Sequence, residues 1–298
     1  MRTLVFIFVL VTSRPFNWAM AAEIVDDESA FTKIFDGESL TGWVGEDQHW
    51  RVEGGAIVGE IPAGKKLEYN TWLVWENGKL DDFELRLQFR LSGKPKANSG
   101  IQFRCQVDNV NHVSGYQADM DLGATWLGRI YDEHGRGLLV ERGTRVMIKE
   151  NGERIIEQFA KPNDDVALFR RDNWNDYRIR ACGEHITVEI NGSVFSELVD
   201  RQDNQKDLSG RLAFQLHAGP ETKVQFRNSR YRKLKPGEHR IEFNTQRKNG
   251  VKKKSASREV SLNHVPRYRQ CGPQAVVVVV CQTSGGSFIA CGAKTILT

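Results

Sequence analysis

Apolar and polar residues alternate along most of this chain from about Phe31 to Leu234, in short runs divided by Gly, Asn and Asp. Phe83 to Leu91 (FELRLQFRL), Asp176 to Arg180 (DYRIR), His185 to Ile190 (HITVEI) and Lys223 to Tyr231 (KVQFRNSRY) each read as a half-buried strand. Successive side chains of an extended chain point to opposite faces, so a period of two puts one set in a core and the other outside. Ala181-Cys182-Gly183-Glu184 predicts a hairpin, and Asn191-Gly192 a tight turn into Ser193 to Leu198. Phe35-Asp36-Gly37, Leu40, Gly42 and Trp43, then Trp50, Val52, Gly55, Ile57 and Val58, frame the start as core and corner residues. No stretch of twelve or more residues carries a helical period. Many short strands with regular turns predict an all-β fold, an antiparallel β-sandwich or a barrel.

Three runs stand out for what they leave on the polar side. In Asn98 to Val107 (NSGIQFRCQV), Ile101, Phe103, Cys105 and Val107 oppose Gln102, Arg104 and Gln106. Ser114 to Asp121 (SGYQADMD) separates Tyr116, Ala118 and Met120 from Gln117, Asp119 and Asp121, and Gly210 to Gly219 (GRLAFQLHAG) separates Leu212, Phe214 and Leu216 from Ala213, Gln215 and His217. In one sheet, the three would gather Arg, Asp, Gln and His side chains on one surface suited to a hydroxyl-rich ligand such as a sugar. Trp126, in an expected loop after Gly123, is placed to stack on a sugar ring.

Charge narrows the classes of partner. The 298-residue chain has a formal net charge of +4, but residues 22–235 hold 30 Lys and Arg against 35 Asp and Glu, while residues 236–298 hold 10 against 3. The body is mildly acidic and offers no basic stripe for a nucleic-acid backbone, so no nucleic-acid partner is expected. Arg2, the apolar run Leu4 to Val11 and the small-x-small site Ala19-Met20-Ala21 predict an export signal over residues 1–21, followed by a linker over residues 22–30. The run is too short to span a bilayer as a helix. A periplasmic or secreted protein without a transmembrane helix is therefore the expectation. Five cysteines leave at least one unpaired, and Cys105 reads as a buried thiol. Beyond Pro236-Gly237, the basic stretch Arg247 to Arg258, the valine run Val276 to Val280 and the Gly/Ser-rich Thr283 to Ser287 predict a basic, disordered tail over residues 236–298.

Eight landmarks in order, FDGESLTGW, WRVEGGAIVG, DDFELRLQFRL, NSGIQFR, SGYQADMD, WNDYRIRACGEHITVEING, LAFQLHAG and VQFRNSRY, resemble the bacterial family of 3-keto-disaccharide hydrolases and 3-keto-glycoside lyases and hydratases. The resemblance covers residues 31–235, and Gly128 to Gly137 (GRIYDEHGRG) is similar to the version in exported proteins of planctomycete-type bacteria. It implies a concanavalin A-like jelly roll. It also implies a 3-keto-sugar ligand made by a separate nicotinamide-dependent sugar oxidoreductase, since no Gly-x-Gly-x-x-Gly here opens a helix. A ketone at C3 acidifies the C2 hydrogen, so a base can remove it, the C1 oxygen can leave by β-elimination, and water can add to the product. That chemistry needs a base near neutrality, a group for the enolate oxygen and a proton donor.

His217 is the choice for the base and Arg104 for the enolate oxygen. Asp119 and Asp121 stand roughly 6 to 7 Å apart on one strand face. They can orient His217, act as acid and base, or bind a divalent cation with Glu133, although no cofactor is required. Gln102, Gln117, Gln215 and Tyr116 are cast as donors and acceptors for sugar hydroxyls, and Glu133 and Arg136 as a loop closing over the ligand. A non-catalytic carbohydrate-binding module, a glycosidase using Asp119 and Asp121, and a scaffold protein remain as competing readings.

Overall fold

A computed structural model describes residues 28–161 and 165–243, together with strand residues 277–282 and 288–294. The expected export signal lies outside the described residues. The strands, in chain order, begin with β1 (Thr32–Lys33), β2 (Trp43–Val44), β3 (Trp50–Glu53), β4 (Ala56–Leu67), β5 (Thr71–Leu80) and β6 (Phe83–Gly93). There follow β7 (Asn98–Asn109), β8 (His112–Asp121), β9 (Ile130–Glu133), β10 (Gly137–Val140), β11 (Thr144–Ile148) and β12 (Arg154–Gln158). The body closes with β13 (Asn175–Cys182), β14 (His185–Ile190), β15 (Ser193–Asp200), β16 (Gly210–Leu216) and β17 (Gly219–Lys233).

These strands form two sheets. One runs β12-β11-β15-β14-β13-β6-β17-β4-β3, with β1 added to β17, and the other runs β10-β9-β8-β7-β16-β5-β2. Pairing is antiparallel apart from β11 with β15. The period of two builds the space between them: Phe83, Leu85, Leu87, Phe89 and Leu91 of β6 are all buried, as are Leu212, Phe214 and Leu216 of β16. Each such side chain contributes about 1.5–3 kcal/mol when taken out of water. Trp43, Phe214 and Phe226 stack through this core, with centroids 4.9 Å and 4.0 Å apart. The result is the expected antiparallel sandwich of jelly-roll type. Among the described residues no helix is long and apolar enough to cross a membrane.

On the outer face of the ten-stranded sheet, the polar set of β6 meets its neighbours as ion pairs. Glu84 is 0% exposed and accepts from Arg178 (2.6 Å), Arg86 (2.7 Å) and Arg232 (2.6 Å). Burial by itself pushes this carboxyl up, but the hydrogen bonds from Arg178 and Arg86 more than reverse that and hold it below its ordinary value. The chain then stays on this sheet beyond residue 235, where the tail was expected to begin. Leu234 N donates to Asp82 O (2.9 Å), Ile241 N donates to His185 Nδ1 (3.1 Å), and His239 lies 2.8 Å from the Thr187 hydroxyl. A separate unit spans residues 245–298, in which β18 (Val277–Gln282) and β19 (Phe288–Lys294) pair antiparallel.

One strand breaks the predicted alternation. Opposite β8, Phe103 pairs with Tyr116 but Gln106 with Ser114, and opposite β16, Gln102 pairs with Ala213 but Cys105 with Arg211, so β7 carries one extra residue at Arg104–Cys105. Arg104 sits at φ 51°, and a Cβ on the facing Gly210 would lie 2.3 Å from the Arg104 carbonyl carbon, so only glycine fits there. The bulge puts Cys105 with Trp72, Val74, Val113 and Ala213, in a cluster apart from the inter-sheet core that holds Phe103. Arg104 is thereby corrected from a ligand-facing residue to a buried bridge between the sheets, 1% exposed. It donates to Asp81 O (2.8 Å), Gly183 O (2.8 Å) and Asp82 Oδ1 (3.1 Å).

Both buried ion-pair sets can be tested by denaturation. Arg104→Met strands four acceptors, Asp207 O among them, and is expected to lower stability by about 3 kcal/mol in urea. For Glu84, whose folded pKa is depressed, the stabilisation is present above the unfolded-state value of about 4.3 and is lost as pH falls through the folded value. Glu84→Gln should therefore be less stable than the parent at pH 7, with the gap closing at pH 3.

Candidate functional site

The residues of β7, β8 and β16 that turn away from the inter-sheet core form the outer face of the seven-stranded sheet. A cavity of about 650 Å³ opens on it, and six of the residues expected at a ligand site line it: Gln117, Asp119, Asp121, Trp126, Glu133 and His217. Its floor is shaped by Gly100 near the start of β7, which pairs with Asp119 on β8 and Gln215 on β16. A Cβ at Gly100 would lie 2.6 Å from Gln117 Cδ, so glycine here is what lets Gln117 lie across the strand.

His217 stands where the chain leaves one sheet for the other. Gly210 to Gly219, expected as a single strand, is split: β16 ends at Leu216 and β17 of the opposite sheet begins at Gly219. His217 Nδ1 lies 2.6 Å from the Ala218 carbonyl oxygen. A carbonyl only accepts, so Nδ1 carries a proton, and in the neutral ring the lone pair is on Nε2. Asn70 braces this corner by accepting from Ala218 N (2.8 Å) while donating to Glu133 Oε1 (3.3 Å).

Asp119 is the most perturbed group in the wall. It is 3% exposed, Oδ1 accepts from Gln117 Nε2 (2.7 Å), and Oδ2 has no partner among the described residues. Burial pushes its carboxyl up to about 8, the Gln117 hydrogen bond opposes the shift, and the nearby Glu133 charge adds to it. Near neutral pH Asp119 is therefore mostly a carboxylic acid, a proton donor. Asp121 instead fixes the loop after β8, its Oδ1 and Oδ2 accepting the backbone N–H groups of Gly123 (2.8 Å) and Trp126 (2.9 Å).

Four expected residues do not reach the cavity wall, besides the correction at Arg104. Tyr116 points into the core and donates to Asp200 Oδ2 (2.5 Å), as its place in the apolar set of β8 requires. Arg136 turns back to Asp132 (2.7 Å) and Asp200 (2.7 Å). Gln102 and Gln215 are on the expected face but fully buried, with the side-chain oxygen and nitrogen of both unpartnered among the described residues. As to a divalent cation on Asp119, Asp121 and Glu133, no three His, Cys, Asp or Glu side chains among the described residues are grouped to hold a metal ion. Asn98, Tyr131 and Lys96 line the cavity without having been singled out. Asn98 and Tyr131 sit in the motifs NSGIQFR and GRIYDEHGRG, so only their direction was hidden, whereas Asn70 carried no signal at all.

A jelly-roll sandwich with a cavity on one sheet face is the class that fold and site define. The family model of the 3-keto-alpha-glucoside-1,2-lyase-like domain matches residues 30–232, and the chain belongs to that family. Among solved structures, a putative glycosyl hydrolase from Parabacteroides distasonis is 17% identical with TM-score 0.47, covering 68% of this chain and 99% of that one. The carbohydrate-binding module CBM66 from Bacillus subtilis is 13% identical with TM-score 0.43, covering 64% and 95%. The Bacillus licheniformis beta-glucanase is 10% identical with TM-score 0.41, covering 68% and 97%. Comparison with curated proteins gives no match.

The raised Asp119 value bears on stability. Between the unfolded pKa near 4 and the folded value of about 8, the folded state keeps a proton that the unfolded state releases, so stability falls as pH rises. The slope is up to about 1.4 kcal/mol per pH unit. Asp119→Asn lacks this dependence, and urea denaturation at pH 5 and pH 7 should show the variant gaining on the parent as pH rises.

Proposed function

We propose that this protein cleaves 3-keto-glycosides by removing the C2 proton, expelling the C1 oxygen and hydrating the product. The observation that carries the reading is the pairing, in one cavity wall, of a histidine with a free Nε2 lone pair and a buried aspartic acid that holds its proton near neutrality. His217 Nε2 takes the C2 proton, and the electron pair left behind is delocalised onto the C3 oxygen. As the ketone reforms, a double bond forms between C1 and C2 and the C1–O bond breaks. Asp119 gives its proton to the departing oxygen, so the aglycone leaves as an alcohol. Water then adds across the double bond, hydroxyl to C1 and proton to C2, giving the free 3-keto-sugar.

Lys96 and Asn98 are the donors in the wall available to the C3 oxygen in place of Arg104. The unpartnered Oδ2 of Asp119 and Oε1 of Gln117 suit sugar hydroxyls or the departing oxygen, because a buried polar atom without a partner costs about 1–3 kcal/mol until a ligand or water meets it. The reaction requires a C3 ketone, so a separate oxidoreductase must supply the substrate. The signal-like residues 1–21 support work outside the cytoplasm.

The test is aglycone release from a synthetic 3-keto-glucoside by the purified full chain. His217→Gln should lose at least about 100-fold in kcat. The parent's kcat should fall as pH rises through about 8, where Asp119 gives up its proton, and Asp119→Asn should be slow at every pH without that alkaline limb. No release by the parent, or full activity in His217→Gln, would sink the proposal.

A further inference from the structure

The cavity grades from a buried polar floor to an open aromatic rim. Asp119 on the floor is 3% exposed, and Trp126 at the rim is 37% exposed. A large apolar side chain left in water is common on its own, but this one is held in place from several sides. Asp121 takes the backbone N–H groups of Gly123 and Trp126 from above the strand. Buried Arg142 donates to the carbonyls of Ala124 (2.7 Å) and Leu127 (2.9 Å), and Leu127 is itself fully buried. The indole is fixed as firmly as its loop. The Arg129 guanidinium lies 4.9 Å from its centroid, tied to Glu141 at 2.6 Å, and Tyr131 meets it edge to face with centroids 5.9 Å apart and an angle of 86°.

An exposed ring held this way has little freedom left to lose when a second flat surface docks on it, so binding there is pre-organised. The volume of about 650 Å³ falls within the range of ~300–1,000 Å³ that encloses most of a drug-sized ligand, which is more than one hexose requires. With the reacting sugar against Asp119 and His217 on the floor, the remaining space and the aromatic rim fall to the leaving group.

We infer that Trp126, backed by Tyr131, is the subsite for the aglycone, and that the substrates are 3-keto-glycosides whose aglycone presents a flat face, an aryl ring or a second pyranose. This rests on the reading of the cavity as a 3-keto-glycoside site. An aryl ring offers its π face and a pyranose its C–H face, and either stacks on an indole, whereas a methyl group leaves the platform uncovered.

The experiment compares the full chain with Trp126→Ala and Trp126→Phe on three 3-keto-glucosides, with p-nitrophenyl, glucosyl and methyl aglycones. Trp126→Ala should lower kcat/KM for the first two by about tenfold and change the methyl glycoside by less than about twofold, and Trp126→Phe should restore most of the loss. The ratio of p-nitrophenyl to glucosyl turnover in the parent tells which flat aglycone is preferred. An equal loss on all three substrates, or no loss on the first two, overturns the aglycone subsite. Calorimetric binding of unoxidised phenyl and methyl glucosides, which cannot react, separates this from the chemistry. Tighter binding of the phenyl compound by the parent that vanishes in Trp126→Ala supports the subsite even if no substrate turns over, and equal binding of the two overturns it.

Discussion

The extra residue at Arg104–Cys105 is the constraint on which the arrangement of the sandwich and its site depends. Without it, β7 would keep strict alternation along its whole length and Arg104 would lie on the outer face with Gln102. With it, the guanidinium turns inward at the end of the sandwich, where Asp81 and Asp82 between β5 and β6 and Gly183 between β13 and β14 receive it. The same inserted residue reverses the facing of the remainder of β7. Cys105 then packs with Trp72, Val74, Val113 and Ala213, and the hairpin tip comes to lie where Val110 O accepts from Trp72 N (2.9 Å). A bulge bends a strand and raises its twist. Here it closes one end of the face whose other end is the cavity.

The two sheets then treat their buried carboxylates Glu84 and Asp119 in opposite ways. On the ten-stranded sheet every oxygen of buried Glu84 is met by an arginine, and Glu189 beside it is met by Arg178 and Arg180. Such a set favours the fold, because breaking any pair exposes an uncompensated charge. On the seven-stranded sheet, Gln102, Gln117, Asp119, Gln215 and the Trp72 indole nitrogen all keep buried polar atoms without a partner among the described residues. Each weakens folding on its own account. Of these, Gln117 and Asp119 line the cavity, so their unpartnered atoms stand in its wall.

Alternation made the fold legible because a β-sandwich is built from that period. β6, β13, β14 and the Asn191-Gly192 turn, with φ of 50° and 80°, lie where the pattern put them. Asp119, Gln117 and His217 could be found the same way, as members of the polar set on their strands. What period could not carry was any break in it. FRCQV continues the alternation along the sequence, and the bulge is visible only once Gly210 and Gly115 are seen to face it across two strand pairs. The run through Gly219 hid a change of sheet, since a corner that keeps the period looks like one strand. Tyr116 was an inward residue by its own pattern, and its core position follows that pattern.

Position at a break also explains why the site has the chemistry it has. His217 lies between β16 and β17, where the chain crosses between sheets, and the carbonyl of its neighbour Ala218 fixes the tautomer of the neutral imidazole. Asp119 lies near the end of β8, where burial raises its pKa to about 8 against the opposing hydrogen bond from Gln117. A corner gives the base its oriented ring; burial against the sheet gives the acid its retained proton. The two needs conflict at a single location, and one sheet satisfies both by drawing them from the strands on either side of β7, with Gly100 leaving the space between them open.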